Sequence, residues 1–453
     1  MPGRSSPDHV VVLGAGIAGL LAAAAAHDHA RSVTLIERDH LPEQPVVRKG
    51  VPQGRHLHGL FSTGAFAIDT LLPGSWHTLR QAGAHVIAMP QQTLLYGPHG
   101  WMRRWPERHF VVGASRPLIE TVIREHVLRL PGIRLAEDTE AVRLLGTSAR
   151  ISGVRLRHRT SGDIQDTTAD LVVDATGRST KTPRQLAELG LPQVPTTVVD
   201  CHLAYASRAV RPTGSRTLPP CINLQPDPRT GEPGRGGFLL RIEDGLWMVT
   251  LSGTQGAHPP LDDEGFARFA GQLRHPLIAD LLSHTTPATR LSGYRNTANR
   301  RYHYERLPAW PTGLLVTGDA VTTFNPLYGQ GMTVAAQSAL VIRDGLARGR
   351  VNAATCHRIQ HALAHTADLP WAVCTTEDIR YPGALGPPPS PLTRLVTCTA
   401  DRLRSAACTR PAAARAFFDA VTLSKPVWRL ISPSALAALA LGPHLPPLDE
   451  PPS

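Results

Sequence analysis

Lysine is nearly absent from this chain of 453 residues: only three of its 47 basic residues (Lys49, Lys181 and Lys425) are lysines. The arginines are scattered, and no basic run exceeds a pair such as Arg103-Arg104. A nucleic-acid surface needs basic residues gathered on one face or along one helix. The pattern therefore argues against nucleic-acid binding, although the net charge of +11 favours anionic cofactors and substrates.

The chain also lacks a long apolar run and a regular cysteine pattern. No uncharged apolar stretch reaches about 18 residues, so we expect no transmembrane helix. The short apolar segment 435–442 predicts a docked tail helix, and the run 10–13 predicts a buried strand instead of a secretory signal. The cysteines have irregular spacings and no CxxC, which predicts reduced thiols in a cytoplasmic protein. They are Cys201, Cys221, Cys356, Cys374, Cys398 and Cys408.

The N-terminal part of the chain shows an alternation of strand and helix patterns. Residues 10–13 predict a strand, the alanine-rich run that follows predicts a helix, and 32–37 predict a second buried strand. Such alternation is typical of a parallel sheet covered by helices. Further along, 113–130 predict an amphipathic helix, and 153–174 predict a hairpin around Ser161-Gly162-Asp163 that leads into a core strand.

The second half of the chain changes character. Residues 195–305 are rich in strand patterns and include a predicted hairpin at 238–251. One helix is predicted over 262–283. A strand, a Gly-Asp turn and a helix return at 314–347, and the Pro/Ala-rich region 380–453 predicts helices joined by proline turns.

The first strand and helix enclose the spacing Gly14-X-Gly16-X-X-Gly19. The first glycine permits a tight turn, the second lets the backbone approach a pyrophosphate, and the third lets the helix pack against the strand. Glu37 ends the second strand, where a carboxylate accepts the ribose hydroxyls. The pattern predicts dinucleotide binding, with a glycine-rich turn in a cofactor-free protein as the alternative. It does not distinguish FAD from NAD.

Two later segments make that distinction. DLVVDATGRSTKTPR (170–184) and GDAVTTFNPLYGQGM (318–332) resemble the later signatures of the aromatic-hydroxylase-like flavoprotein monooxygenases. The resemblance implies FAD as cofactor and an α/β fold, namely a Rossmann-type FAD-binding domain with an inserted β-sheet substrate domain and a C-terminal helical tail. The expected division gives 1–85, 113–190 and 306–350 to FAD binding, 86–112 and 191–305 to the substrate domain, and 351–453 to the helical region.

The same resemblance implies roles for residues of the second signature. Asp319 would bond the ribityl hydroxyls, and the amides of Gly331 and Met332 would stabilise negative charge at N1/O2 of reduced flavin. Pro326 would lie beside the flavin face where oxygen reacts, and Gly329 would allow close backbone approach. The alternative is a surface loop with a capping aspartate.

Two arginines and two histidines complete the candidate site. Arg116, near the start of the amphipathic helix predicted over 113–130, matches the family's basic residue near the FAD phosphates. The alternative is a solvated helix residue with no role in binding. Arg48 occupies the loop where relatives place an arginine over the cofactor. His56 and His58 lie in the same loop, and no cysteine or carboxylate completes a metal set nearby, so we predict no metal site. These histidines would line the cofactor loop or serve a structural role.

A narrower resemblance extends from about residue 8 to about 385. RKGVPQGRHLHGLFSTGAFAIDTLLPG, DDEGFARFA, NRRYHYERLPAWPTGLLVTGDAV and FNPLYGQGM are similar to the FAD-dependent epoxidases of polyether antibiotic biosynthesis, of the lasalocid and monensin type. The resemblance implies epoxidation of alkenes in a linear polyketide through a flavin C4a-hydroperoxide. The GDAAH of aromatic hydroxylases is here GDAVT, without the histidine.

Other activities remain as alternatives. They are hydroxylation of an aromatic or polyketide ring, reduction of an isoprenoid double bond, and flavin binding without catalysis. Halogenation is disfavoured because no lysine lies between Lys49 and Lys181 to direct the oxidant. The apolar hairpin predicted at 238–251 would suit the wall of a pocket that excludes water. Its residues Phe238 and Trp247 would either line that pocket or pack in the core.

The expected partners follow from the same reasoning. Without a second nucleotide fingerprint, NADPH or NADH would act at a transient site or through a flavin reductase. The polyene substrate would be free or tethered to an acyl carrier protein.

Overall fold

The computed structural model describes residues 7–214, 217–425, 432–448 and 450–452. The elements up to residue 113 are β1 (His9–Leu13), α1 (Ile17–His27), β2 (Ser32–Ile36), β3 (Leu60–Phe61), α2 (Ser62–Leu71), α3 (Ser75–Gln81), β4 (His85–Met89), β5 (Thr93–Gly97), β6 (Gly100–Trp101) and β7 (His109–Gly113). Those up to residue 188 are α4 (Arg116–Leu128), β8 (Ile133–Ala136), β9 (Thr139–Gly146), β10 (Ile151–His158), β11 (Ile164–Thr168), β12 (Leu171–Asp174) and α5 (Thr182–Glu188).

The remaining elements begin with a strand-rich region. It contains β13 (Thr196–Val199), β14 (Ala204–Pro212), β15 (Cys221–Leu224), β16 (Arg235–Arg241), β17 (Trp247–Gly253), α6 (Asp263–Ala270), α7 (Leu277–Leu282), β18 (Thr285–Pro287), β19 (Ser292–Tyr294) and β20 (Asn299–Tyr302). The chain then forms β21 (Leu314–Val316), β22 (Thr322–Thr323), α8 (Gly331–Ala347), α9 (Ala353–Thr366), α10 (Asp368–Asp378), α11 (Pro391–Ala407), α12 (Pro411–Val421) and α13 (Pro433–Leu441).

A five-stranded parallel sheet with the order β21-β12-β1-β2-β8 forms the centre of the first lobe. Its central strands are apolar and almost fully buried, as expected for a sheet covered on both faces. This confirms the predicted α/β class. Because parallel strands end at one common edge, the turns that follow β1, β2, β12 and β21 meet there.

The predicted hairpin at 153–174 is also confirmed. β10 and β11 pair antiparallel around the turn, and β12 then enters the parallel sheet. β9 pairs with the other side of β10 and completes a three-stranded sheet that the sequence pattern did not reveal.

An eight-stranded sheet forms the second lobe, with the order β18-β14-β17-β16-β15-β5-β6 and β19 paired to β14. The predicted hairpin is its β16–β17 pair. Two strands from early in the chain, β5 and β6, join this sheet through a parallel pairing of β5 with β15. One face packs on α6 and α7 through an apolar cluster that includes Val249, Phe266 and Ile278.

The prediction of a single helix over 262–283 is wrong, because the structure has two helices there. α6 ends at Ala270, and α7 begins at Leu277. Pro276 precedes α7, and a proline inside a continuous helix would remove a backbone hydrogen bond and clash with the preceding turn. The start of α6 is capped by Asp262, whose side chain accepts a hydrogen bond from the Gly265 amide.

The C-terminal region is helical, as predicted. Prolines stand in the first turn of α11, α12 and α13, where a missing amide proton costs nothing. α13 docks by burying Ala435 and Ala438. Within the described part of the chain, the helices are all too short or too polar to cross a bilayer. All six cysteines are free thiols.

Candidate active site

A cavity of about 610 Å³ lies at the edge of the parallel sheet where its strands end. Nearly all of the residues predicted from the sequence line it. They are Gly14, Gly16, Glu37, Arg48, Arg116, Asp319, Pro326, Gly329, Gly331 and Met332. The remaining predicted residue, Gly19, packs beneath the turn. The fold thus brings both glycine clusters to one cavity, and its size is that of a small-molecule or cofactor site.

The first glycine cluster is shaped by close backbone contacts. Gly14 has φ +94°, and a Cβ there would lie 2.8 Å from the carbonyl oxygen of Ala175. A Cβ on Gly19 would lie 1.8 Å from the carbonyl oxygen of Gly14, so only glycine lets α1 approach β1 this closely. Above Gly16 the space is open, since a Cβ there would have one Arg48 nitrogen, at 3.9 Å, as its nearest neighbour. A ligand backbone group fits there.

Two helix N-termini face this cavity. α1 follows Gly16 and α8 follows Gln330, and neither N-terminus has a side-chain cap or an acidic residue in its first turn. A side chain added at Gly331 would meet no atom within 4 Å. The unpaired amides and the helix dipole make both ends favourable for negative charge. Such ends suit a pyrophosphate at α1 and an anionic ring edge at α8.

Glu37 sits at the end of β2, where the fingerprint predicts it, and is 4% exposed. Its Oε2 accepts a hydrogen bond of 2.9 Å from the Ala15 amide, and its Oε1 lies 3.2 Å from Nη1 of Arg48. The carboxylate is therefore fixed against the glycine turn. This is the position from which it would accept ribose hydroxyls.

Arg48 is more enclosed than its predicted role suggested. Its guanidinium lies 2.8 Å from Glu120 and 3.2 Å from Asp39, besides Glu37. Burial opposes its charge, but these carboxylates outweigh burial and raise the pKa of Arg48. Arg116 lies 3.0 Å from the other oxygen of Glu120. Arg48 lines the cavity and compensates three acids, of which Glu37 also lines it. Direct contact of either arginine with a cofactor stays a prediction.

Asp319 follows β21 and its side chain is open to the cavity. Enclosure by the protein raises the pKa of Asp319, and Arg178, Arg116 and Arg300 oppose that rise. Arg178 is held by a 3.0 Å hydrogen bond to the side-chain oxygen of Asn296. An anion in this setting gains from hydroxyl donors, which is what a ribityl chain would provide.

Asp174 was not singled out from the sequence, although it lies within the segment 170–184 that carries part of the family resemblance. It is 1% exposed, and its oxygens accept hydrogen bonds from the hydroxyls of Thr176, Thr180 and Thr182 at 2.6, 2.5 and 2.6 Å. The aspartate therefore fixes the loop that carries Thr176 and Arg178 to the cavity. The available signal was an acid at a strand end followed by several threonines.

A second cavity of about 160 Å³ adjoins the first. The inner face of the eight-stranded sheet forms one wall, and α10 and α12 cover it with Val373, Phe417, Phe418 and Val421. The residues that line both cavities are Leu57, Gly59, Tyr205, Pro326, Gly329 and Gln330. The two cavities therefore meet at the loop that carries Pro326, Gly329 and Gln330, which is predicted to contact the flavin and is called the flavin loop below. Phe238 lines the second cavity, as one of the two alternatives expected.

Trp247 takes the other alternative. It packs in the apolar cluster on the far face of the sheet, and its Nε1 donates to the carbonyl oxygen of Pro219 at 3.1 Å. Because side chains alternate along a strand, Thr250 faces the cavity while Val249 and Leu251 lie in the same cluster as Trp247.

His56 and His58 occupy different surroundings. His56 makes a 2.9 Å hydrogen bond to the Ser207 hydroxyl, and burial beside Arg55 lowers its pKa to about 4. His58 lines the first cavity, and burial together with Arg116 lowers its pKa to about 3. Both rings are neutral near pH 7. In the described ranges, no group of three His, Cys, Asp or Glu side chains is placed to hold a metal ion.

A buried polar network supports the loop between the cavities, and sequence reasoning missed it. Asp378 of α10 accepts hydrogen bonds from Asn299 (2.6 Å), Asn325 (2.9 Å) and the Tyr328 hydroxyl (2.8 Å). Asn299 in turn accepts from the Asn325 amide at 2.7 Å. The C-terminal region therefore holds the loop that carries Pro326 and Gly329.

Fold and site together define a flavoprotein oxidoreductase with a monooxygenase-like arrangement of cofactor cavity and apolar cavity. The FAD dependent oxidoreductase family model matches residues 9–180. The chain belongs to the same family as Protein Rv3254 of Mycobacterium tuberculosis, with which it is 31% identical over 93% of this chain and 91% of that protein. The match of residues 9–180 supports an FAD-dependent oxidoreductase.

Other relatives are more distant. Kynurenine 3-monooxygenase of Salinispora arenicola is 28% identical over 75% of this chain and 72% of that protein. Squalene epoxidase 2 of Arabidopsis thaliana is 25% identical over 74% of this chain and 53% of that protein.

Solved structures match the fold over nearly the whole chain. A flavoprotein/dehydrogenase from Cytophaga hutchinsonii has a TM-score of 0.66 and 12% identity, covering 95% of this chain and 96% of that one. The myxobacterial chondrochloren halogenase CndH has a TM-score of 0.60 and 16% identity, covering 96% and 97%. At these identities the likeness shows the fold alone.

Proposed function

We propose that this protein is an FAD-dependent monooxygenase that transfers one oxygen atom of O₂ to a carbon–carbon double bond of a linear polyketide or polyene. One observation carries the proposal. The second cavity opens on the flavin loop, and no Asp, Glu, Lys, Arg or His occurs among the described residues that line it. An isolated alkene has no proton to lose, so its oxidation needs shape and dryness and no general base.

The residues of the first cavity fit FAD. Gly14, Gly16 and Glu37 would hold the adenosine half, with Arg116 near the phosphates. Asp319 would take the ribityl hydroxyls, and the amides of Gly331 and Met332 would face the pyrimidine edge. When bound, FAD supplies the electron transfer to oxygen and the oxygen-transfer chemistry.

The chain's own contribution is positioning and exclusion of water. Pro326 and Gly329 form the shared wall, so a substrate in the second cavity would lie against the reacting face of the cofactor. Apolar walls from β16 and α12 keep water away from that face, which limits unproductive release of hydrogen peroxide. Holding the alkene at this wall lowers the entropic part of the barrier.

The electrons would come from NADPH or NADH, either at a transient surface site or through a separate flavin reductase. Two electrons and two protons reduce one oxygen atom of O₂ to water, while the other atom forms the epoxide. The substrate would be free or carried by an acyl carrier protein, whose acidic surface would suit the arginine-rich exterior.

Hydroxylation of an aromatic or polyketide ring is the second candidate, and the relationship to kynurenine 3-monooxygenase favours it. Tyr205 and Tyr328, the titratable hydroxyls at the second cavity, argue against a phenol-activating base. Burial raises the pKa of both, so neither is ionised near pH 7.

The test is turnover by the FAD-loaded protein with NADPH, an added flavin reductase and isotopically labelled O₂. A linear polyene thioester should give a product that gains one labelled oxygen and loses one double bond, as measured by mass spectrometry. Oxidation of an aromatic probe with no reaction of the polyene would favour ring hydroxylation. Release of hydrogen peroxide with neither product would overturn the monooxygenase proposal.

A further inference from the structure

Three oxygen atoms in the wall of the apolar cavity have no hydrogen-bond partner. They are Oγ1 of Thr93, Oδ1 of Asn223 and Oε1 of Gln330. Thr93 is 4% exposed and Gln330 is 2% exposed. A buried polar atom without a partner destabilises a protein by about 1–3 kcal/mol, so each is a candidate contact for a ligand.

Two of these atoms belong to adjacent strands that form the floor of the cavity. β5 and β15 run parallel with Thr93 opposite Cys221 and Leu95 opposite Asn223. Since side chains alternate, Thr93, Cys221 and Asn223 share the face toward the cavity, while Ile222 lies in the core. The Cys221 thiol is the group beside the Thr93 hydroxyl. Burial raises the pKa of Cys221 to about 12, and a weak interaction with the Thr93 side chain opposes the rise. The thiol therefore stays protonated and is too weak a hydrogen-bonding group to satisfy the Thr93 oxygen.

The third atom has a fixed orientation. Nε2 of Gln330 donates to the carbonyl oxygen of Val421 at 3.0 Å, which assigns the other end of the amide as oxygen. That oxygen belongs to a residue lining both cavities. The cavity therefore presents hydrogen-bond acceptors on its floor and at its junction with the first cavity.

We infer that the substrate of the proposed monooxygenase is an unsaturated alcohol, a mainly hydrocarbon molecule whose hydroxyl group donates to Asn223 beside Thr93. The inference rests on the proposed function for the reaction and on these orphan oxygens for the substrate class. The side-chain amide oxygens of Asn223 and Gln330 can only accept hydrogen bonds, so they need the proton of a donor such as a hydroxyl, and an ether or ketone has none to give. The Thr93 hydroxyl can both accept from and donate to such a group. A carboxylate or an ammonium group would lack a counter-charge among the described lining residues.

The experiment measures binding of three probes to the FAD-loaded protein by calorimetry. The probes are geraniol, its methyl ether and the corresponding deoxy diene, which share the same hydrocarbon. Geraniol should bind at least about tenfold more tightly than the other two, because a site built around a hydroxyl rejects analogues that leave its polar atoms unpaired.

Two variants locate the effect. Thr93→Val combined with Asn223→Leu should keep the diene affinity and reduce the preference for geraniol to within about twofold. Thr322→Val is the matched control, since its hydroxyl is also buried without a partner but lines neither cavity, and it should keep the full preference. Retained FAD absorbance and a cooperative melting transition at or above the temperature of the parent would show that each variant is folded, since removal of a partnerless buried oxygen should not destabilise the protein.

The two proposals fail separately. Equal binding of alcohol and diene, no binding of any probe, or a preference that survives the double variant would overturn the unsaturated-alcohol inference. A geraniol preference that depends on Asn223, without oxygen incorporation into geraniol, would support the inference and count against the monooxygenase reaction.

Discussion

At the scale of single residues, the cofactor cavity depends on carboxylates whose charge is balanced by nearby arginines. Asp319 is surrounded by Arg178, Arg116 and Arg300, which oppose the rise in its pKa. Glu37 is tied to the glycine turn and to Arg48. Each acid keeps an oxygen near the cavity, so each has a distinct expected effect on cofactor retention.

Replacement of Asp319 by Ala should release FAD. The side chain is open to the cavity and would be the acceptor for the ribityl hydroxyls, so its loss removes charge-assisted hydrogen bonds. The measurement is the visible absorbance of the protein after gel filtration, with Asp166→Ala on the exposed strand β11 as control. A variant that remains fully yellow would contradict the ribityl role.

Replacement of Glu37 by Ala should weaken FAD binding by about 1–3 kcal/mol, the typical effect of losing a charged hydrogen-bonding group. Fluorescence titration of the apoprotein gives the dissociation constant. Glu37→Gln keeps one acceptor oxygen and should fall between the parent and the Ala variant. An unchanged dissociation constant for the Ala variant would place the ribose elsewhere.

At the scale of elements, α10 supports the loop between the cavities through one buried acid. Burial raises the pKa of Asp378 to about 6, and hydrogen bonds from Asn325, Tyr328 and Asn299 oppose the rise. The loop therefore rests on a carboxyl group that titrates within an accessible pH range. A helix far along the chain thus fixes the segment that would contact the flavin.

The pH dependence follows from the sign of that shift. A carboxyl with a raised pKa in the folded state binds its proton more tightly there, so its stabilisation is present below the unfolded value near pH 4 and is lost as the pH rises through about 6. Compared with Asp378→Asn, the parent should lose roughly 1–3 kcal/mol of unfolding free energy between about pH 4 and about pH 7.

Denaturant unfolding of both proteins across this range is the measurement. Asp166→Asn is the control, because the hydrogen bond from Arg155 lowers the pKa of Asp166 and should give a pH trend of the opposite sign. A difference between parent and Asp378→Asn that does not vary with pH would mean that Asp378 does not titrate in this range.

The elements that sequence could predict are those specified by local signals. Gly14, Gly16 and Glu37 lie within one strand-turn-helix-strand unit, so the spacing places them. The network of Asp378 joins residues 53 and 79 positions apart, and the bond from Arg48 to Glu120 spans 72, so no local pattern reveals either. The break between α6 and α7 was within reach, because Pro276 is a local signal.

At the scale of the whole molecule, the two cavities are built largely by different secondary-structure elements. The parallel sheet and α8 build the first, whereas the eight-stranded sheet, α10 and α12 build the second. Cofactor binding and substrate binding should therefore be separable by mutation. The position that separates them best lies on α12, away from the first cavity.

Val421→Trp should fill much of the second cavity while leaving FAD bound. The backbone oxygen of Val421 still accepts from Gln330, and the larger side chain occupies space of which only about 160 Å³ is free. Oxygen consumption should then end in hydrogen peroxide instead of oxidised substrate, measured as the ratio of peroxide formed to NADPH used. Normal product yield would show that the substrate lies elsewhere.

The shared wall of Pro326, Gly329 and Gln330 has a thermodynamic consequence. A molecule bound in either cavity contacts this shared wall and so alters the free energy of the same short stretch of backbone. If occupancy of one chamber changes affinity in the other by some factor, linkage requires the same factor in the reverse direction. The dissociation constant of FAD should be measured with and without geraniol, and that of geraniol with and without FAD. The two ratios of dissociation constants should be equal.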